Sequence, residues 1–168
     1  MTTRKQPAAA QPATKHPAVP ALILDDVLGY NLRRAHGVQR QRFSSVFSPY
    51  RIRPVQLAIL GLIYAKRRLK QAELARALDI KRANIVTLLD ELEQRNLVVR
   101  RPERTDRRSR ALELTPAGKR LTAELLDLHA RLEESAVQHL GRRDRDQLLR
   151  LLKKFRKLEG APYLDYEE

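Results

Sequence analysis

Apolar residues recur at helical spacing along most of this chain, and the pattern shortens to strand-like runs at one place. From Ala21 to about Phe47, Leu24, Leu28, Leu32, Ala35, Val38, Phe43 and Val46 mark one face of a long amphipathic first helix. Pro54 suits the first turn of a second helix reaching about Lys66. Its Val55, Leu57, Ile59, Leu60, Leu62 and Ile63 leave little polar face, which predicts burial. Gln71 to Leu78 and Lys81 to Gln94 then read as two helices joined by a tight Asp79-Ile80 turn, with Leu74, Ala75, Leu78, Ile80, Ile85 and Leu88 as their apolar skeleton. The small Ala75 lets the two helices cross closely, and aspartate tolerates the positive φ such a turn often needs.

Two short apolar runs follow, Leu97-Val98-Val99 and Ala111-Leu112 with Leu114, which suit the strands of a hairpin. Between Arg100 and Arg110 there are six arginines against only Glu103 and Asp106, so the tip is built to meet phosphate. Thr115 can cap, and Pro116 can start, a further helix with Leu121, Leu125, Leu128 and Leu132 on one face. Gly141 ends it. Asp144 and Gln147 have capping-box spacing and open a last helix whose Leu148, Leu151, Leu152, Phe155 and Leu158 are expected to face inward. Three amphipathic helices at the two ends exceed what the central segment can cover, so their stripes are expected to meet a second subunit.

The resulting fold is mainly α with a small β-hairpin wing: a winged helix-turn-helix domain with terminal dimerisation helices. The segments are a disordered basic tail at 1–20, an N-terminal dimerisation helix at 21–50, a DNA-binding lobe at 51–116, C-terminal dimerisation helices at 117–160 and an acidic tail at 161–168. The first tail contains four prolines, Arg4, Lys5 and Lys15 and no acid.

A formal charge of +14 and a pI near 10.7 favour polyanionic partners, nucleic acid before an acidic membrane surface. The absence of cysteine excludes disulfides, thiolate zinc sites and thiol redox sensing. No apolar run approaches the ~18 residues that cross a bilayer, and residues 1–20 lack the apolar core of a signal peptide, so a cytoplasmic location is expected. His16, His36, His129 and His139 have no ligand spacing with carboxylates; neither a metal nor another cofactor is expected.

An α-helix fits the major groove of B-DNA and reads base edges near its N-terminus. Here that end carries Lys81, Arg82, Ala83, Asn84 and Thr87. Asn84 suits adenine, Arg82 guanine or a phosphate, and Thr87 a phosphate or a thymine methyl; the plain alternative is that each is simply an exposed helix residue. At the tip, a narrow A·T-rich minor groove attracts a guanidinium. Arg108 is the first choice for insertion and Arg107 the second, with Arg100, Arg101, Arg104 and Arg110 as phosphate contacts or solvated charges.

The order helix, helix-turn-helix, Leu92-Glu93-Gln94-Arg95-Asn96-Leu97-Val98, Asp106-Arg107-Arg108 and Leu114-Thr115-Pro116-Ala117-Gly118 resembles the MarR family of bacterial transcriptional regulators over roughly residues 22 to 160. The resemblance implies a homodimer joined through its terminal helices, bound to a pseudo-palindromic double-stranded DNA operator and usually released by a small molecule. It also implies that Asp106 braces the hairpin while Arg108 enters the minor groove. The family often has a hydroxyl residue where Lys81 stands and a basic one where Thr87 stands, so base readout does not carry over in detail.

The family's usual effector pocket lies between the first helix, the fifth helix and the DNA-binding lobe, and the first helix here offers Tyr30, Arg33, Arg34, His36, Arg40, Phe43 and Phe47. Leu28 to Ala35 is similar to a subgroup that responds to aromatic acids or their coenzyme A thioesters. Aromatics beside arginines suit such an anionic ligand through charge-assisted hydrogen bonds; the competing reading makes the aromatics dimer core and the arginines a solvated face. Two other functions compete with a ligand-released repressor: an architectural DNA-binding protein without effector control, and an enzyme. For the enzyme there is no glycine-rich phosphate loop, nucleophile elbow or acid/base pair.

Overall fold

Turn chemistry sets where most of the helices begin and end. The computed structural model describes residues 24–66, 68–102 and 110–157, in two compact units, 1–37 and 38–168. The expectations for the two tails, for Leu158, and for Arg104, Asp106, Arg107 and Arg108 lie outside the described residues.

In the first unit a 3-10 turn at Leu24–Asp26 leads into α1, Leu28–Phe47, so the helix starts later than the apolar spacing predicted. The Asn31 amide explains the break: it donates to the carbonyls of Asp25 at 2.7 Å and Val27 at 3.0 Å, holding the turn against the helix end. One turn on, the Arg34 guanidinium lies over the Tyr30 ring, 5.8 Å from its centroid, and donates to the phenol oxygen at 3.1 Å.

In the second unit, α1 ends at Phe47 and a 3-10 turn, Ser48–Tyr50, leads to α2, Pro54–Ala65. Gln56 at the third helical position accepts from the Arg53 backbone N–H at 3.0 Å, half of a capping box. A two-residue strand β1, Leu69–Lys70, precedes α3, Gln71–Leu78. Sequence reading missed this strand, which is too short to show an alternating pattern. Asp79 closes α3 in the left-handed region with φ 56°, as its turn position predicted, and Ile80 donates back to the Ala75 carbonyl at 3.0 Å. Then come α4, Arg82–Gln94, and the hairpin strands β2, Val98–Pro102, and β3, Arg110–Leu114.

The sheet is antiparallel in the order β1-β3-β2, pairing Leu69 with Leu112, Val98 with Leu114 and Pro102 with Arg110. Beyond it run α5, Pro116–Leu140, and α6, Arg142–Phe155. Thr115 caps α5 by accepting from the Gly118 N–H at 2.9 Å. Gly141, at φ 79°, ends α5 and immediately caps α6. The last helix therefore starts before Asp144, which lies in its first turn and makes no cap.

The core gathers Phe43, Phe47, Ile59, Leu60, Leu74, Ile85, Leu89, Leu92, Leu112 and Leu125 from α1 to α5 and the sheet. Arg42 fastens α1 to α5, its guanidinium donating to the Leu132 carbonyl at 2.9 Å and to Ser135 Oγ at 2.6 Å. Helix α6 contributes no buried residue. Leu148, Leu151 and Phe155 are exposed within the protomer, contrary to the expected inward stripe, because Arg145, Leu149 and Leu152 form its more covered face. Periodicity identified the apolar face but not what covers it. No helix among the described residues is long and apolar enough to cross a membrane.

Candidate nucleic-acid interface

The N-terminal half of α4 is an outward ladder held from beneath by the core. Ile85, Leu88, Leu89 and Leu92 are buried, which turns Arg82, Ala83, Val86 and Thr87 outward; Lys81 precedes them, exposed, and Asn84 is half-buried. Arg82 and Val86, like Ala83 and Thr87, are one helical turn apart and share a face. Val86, 41% exposed, was not singled out from the sequence, where a valine on an amphipathic helix reads as core. Its exposure beside Thr87 is the signal that only the fold supplies.

The C-terminal half of α4 carries three acids, and each is engaged within the fold. Glu91 accepts from Arg53 and, at 2.7 Å, from the buried Gln56, joining α4 to the start of α2. Asp90 and Glu93 accept from Arg100 on β2 at 2.7 and 2.6 Å, and Glu93 also accepts the Arg100 backbone N–H at 3.0 Å. Arg95 donates to the Arg51 and Tyr50 carbonyls at 2.8 and 2.9 Å, tying the helix end to the turn before α2.

These contacts correct one expectation. The sequence places Arg100 among arginines that meet phosphate or stand as solvated charges, yet its side chain is only 19% exposed and its Nη1 and Nη2 are held by two carboxylates, while its buried Nε finds no partner among the described residues. Arg101, next along β2, and Arg110, opposite Pro102 on β3, are exposed.

At the base of the wing, Asn96 takes a left-handed turn, φ 54°, and Thr115 Oγ1 donates to its carbonyl at 2.6 Å. The Thr115 N–H donates to the Leu97 carbonyl at 3.0 Å, against which Gly118 is pressed. The Leu114-Thr115-Pro116-Ala117-Gly118 motif is thus a latch that fixes the hairpin to α5.

The residues expected around an effector differ in burial. Phe43 and Phe47 stack on one another, centroids 4.2 Å apart, at 8% and 0% exposure, and fill the core of their own protomer. Arg33, Arg34, His36 and Arg40 are exposed and Tyr30 half-buried.

A helix pair packed on the core through Leu74, Ala75, Ile85 and Leu88, its second helix keeping an exposed outer face and leading into a basic hairpin, defines a winged helix-turn-helix protein. The chain belongs to the MarR family, whose model, described as "MarR family", matches residues 52–109. A Thauera aromatica protein assigned as a transcriptional regulator for the hcr operon is 30% identical over 128 residues, covering 76% of this chain and 77% of the relative. The repressor CouR, solved bound to a 23-mer DNA duplex, is 38% identical with a TM-score of 0.73, covering 79% of this chain and 94% of CouR. CouR solved with p-coumaroyl-CoA gives 34% identity and a TM-score of 0.72 over 80% of this chain and 95% of CouR. The chain is accordingly a MarR-type transcriptional regulator and not an enzyme.

Proposed function

We propose that this regulator is a homodimeric repressor that holds a pseudo-palindromic operator and releases it when a small anionic aromatic molecule, of the aromatic acyl-CoA thioester class, binds. The observation carrying the DNA half is the outward ladder of α4 beside an arginine-rich hairpin. Arg82 and Asn84 are assigned to base edges in the major groove, Val86 and Thr87 to thymine methyls or phosphate, and Lys81, Arg101, Arg104 and Arg110 to phosphates. Arg108 is assigned to the minor groove, with Arg107 second and Asp106 as its brace.

The dimer is supported by the apolar residues that each protomer leaves uncovered: Leu24, Leu28 and Val38 towards its N-terminus, Leu140, Leu148, Leu151 and Phe155 towards its C-terminus. In a two-fold dimer the paired α4 helices lie about 34 Å apart to meet successive major grooves. The effector class is supported by the relative solved with p-coumaroyl-CoA and by the Tyr30–Arg34 pair, which presents an aromatic face and a cation together.

Footprinting of the DNA beside its own promoter, repeated with aromatic acids and their CoA thioesters, tests both halves. A protected palindrome whose protection is lost with one thioester is the expected result. Sequence-independent protection, unchanged by every such compound, overturns the reading. With the protected duplex in a gel-shift titration at fixed salt, Arg108→Ala is expected to weaken binding about tenfold or more, and unchanged affinity sinks that assignment.

A further inference from the structure

A helix laid against phosphates should not carry uncompensated acid, yet α4 carries Asp90, Glu91 and Glu93. Asp90 stands one turn beyond Val86 and Thr87 on the outward side, with its side chain 47% exposed. Left unpaired, it would repel the phosphates that flank a groove read by Arg82 and Thr87. The partner it has instead is Arg100, whose Nη2 lies 2.7 Å from Asp90 while Nη1 lies 2.6 Å from Glu93.

Strand geometry makes this a mechanical link as well as an electrostatic one. β2 is an edge strand of the sheet, and in an antiparallel ladder alternate residues turn their N–H away from the neighbouring strand. The Leu97 carbonyl bonds the Thr115 N–H, so the ladder alternation turns the Arg100 N–H outward, where it donates to Glu93 at 3.0 Å. One carboxylate thus holds both the backbone and the side chain of a wing residue, and a second carboxylate one turn earlier holds the other end of the fork. To reach a phosphate, Arg100 would have to abandon these charge-assisted bonds and expose both acids.

We propose that Arg100 is a positioning residue for operator recognition: forked between Asp90 and Glu93, it fixes the wing strand relative to α4 and offsets part of the charge of those two acids, so that helix and wing engage one operator in register. This rests on the reading of α4 and the hairpin as the DNA-binding surface. The role is specific to Arg100; Arg101 projects to the opposite side of the strand and is exposed.

The sign of one experiment separates this role from a phosphate contact. Neutralising acids near a polyanion strengthens binding by charge alone, whereas loss of the brace weakens it. The full-length Asp90→Asn, Glu93→Gln double variant is expected to bind the footprinted operator duplex about tenfold more weakly, with binding to an unrelated duplex unchanged or tighter. Arg100→Lys, which can keep one ion pair, is expected to recover part of what Arg100→Gln loses. Operator binding that tightens in the double variant overturns the proposal. A second readout needs no DNA: the Arg100 backbone amide is expected to exchange with solvent about tenfold faster in Glu93→Gln than in the unaltered protein. Equal exchange rates overturn the brace even if the protein binds DNA, and an unaltered protein that shifts no duplex refutes the operator reading while the exchange measurement still decides the brace.

Discussion

Gly118 has almost no freedom to be anything else. A Cβ built there would sit 2.0 Å from the Leu97 carbonyl oxygen, a backbone atom that cannot swing aside. Gly118→Ala must therefore push α5 off the base of the wing, and a loss of about 1–3 kcal/mol is expected in urea denaturation; an unchanged midpoint would show that the latch yields freely. Thr122 presents the opposite situation. Its Oγ1 is fully buried and finds no partner among the described residues, so Thr122→Val removes an unsatisfied group without opening a void. The expected result is a melting temperature equal to or above that of the parent. Tyr50 tethers the turn before α2 to α5 by donating to Glu124 at 2.5 Å, and that bond, with burial and the nearby negative charge adding to it, raises the phenol above its usual value. Because the folded value is raised, this contribution is present below the ordinary tyrosine range and is lost as pH climbs through the raised value. Stability measured against pH should fall at alkaline pH less steeply in Tyr50→Phe than in the parent.

At the scale of elements, legibility followed how local the determining physics is. The bounds of α3 and the positive φ of Asp79 were readable because a tight turn between two amphipathic helices leaves few alternatives. The Thr115 cap was equally readable from Thr-Pro before a leucine stripe. What escaped were features decided across the fold: β1, whose two residues pair with β3 only because the chain returns beside them, and the ion pairs that consume Arg100 and Glu91. Three acids on a helix read as DNA-facing were the available signal, since such a helix needs arginines from elsewhere to cancel them. Helix α6 shows the same limit. Its apolar face is legible in the leucine spacing, but what covers Leu148, Leu151 and Phe155 is not, since they are exposed within the protomer and the expected cover is a second subunit. If a second protomer supplies that surface, Leu151→Glu buries a charge at the interface. Sedimentation should then show a monomer at concentrations where the parent is a dimer, and operator binding should fall in parallel; a dimeric variant would place the interface elsewhere.

For the molecule as a whole, a charge of +14 states that polyanions are attracted but not where they bind. Arg145, Arg150, Lys153, Lys154 and Lys157, with Asp146 and Leu149, line an open groove of about 550 Å³ on α6, a concentration of cations comparable to that of the wing. Counterion release distinguishes them, because only charges seated on phosphates set the slope of binding against salt. A dimer making about six to ten phosphate contacts should lose about 10³–10⁵ in affinity between 50 and 200 mM salt. If α4 and the hairpin form the contact surface, Arg110→Gln should reduce the magnitude of that slope by about 0.9 per protomer. The Lys153→Gln, Lys154→Gln pair, which removes twice the charge, should leave the slope unchanged and lower affinity only slightly at low salt, where long-range steering persists. Titrations of one operator duplex at four salt concentrations decide between them: a slope that responds to the α6 pair and not to Arg110 would move the DNA to the C-terminal helix.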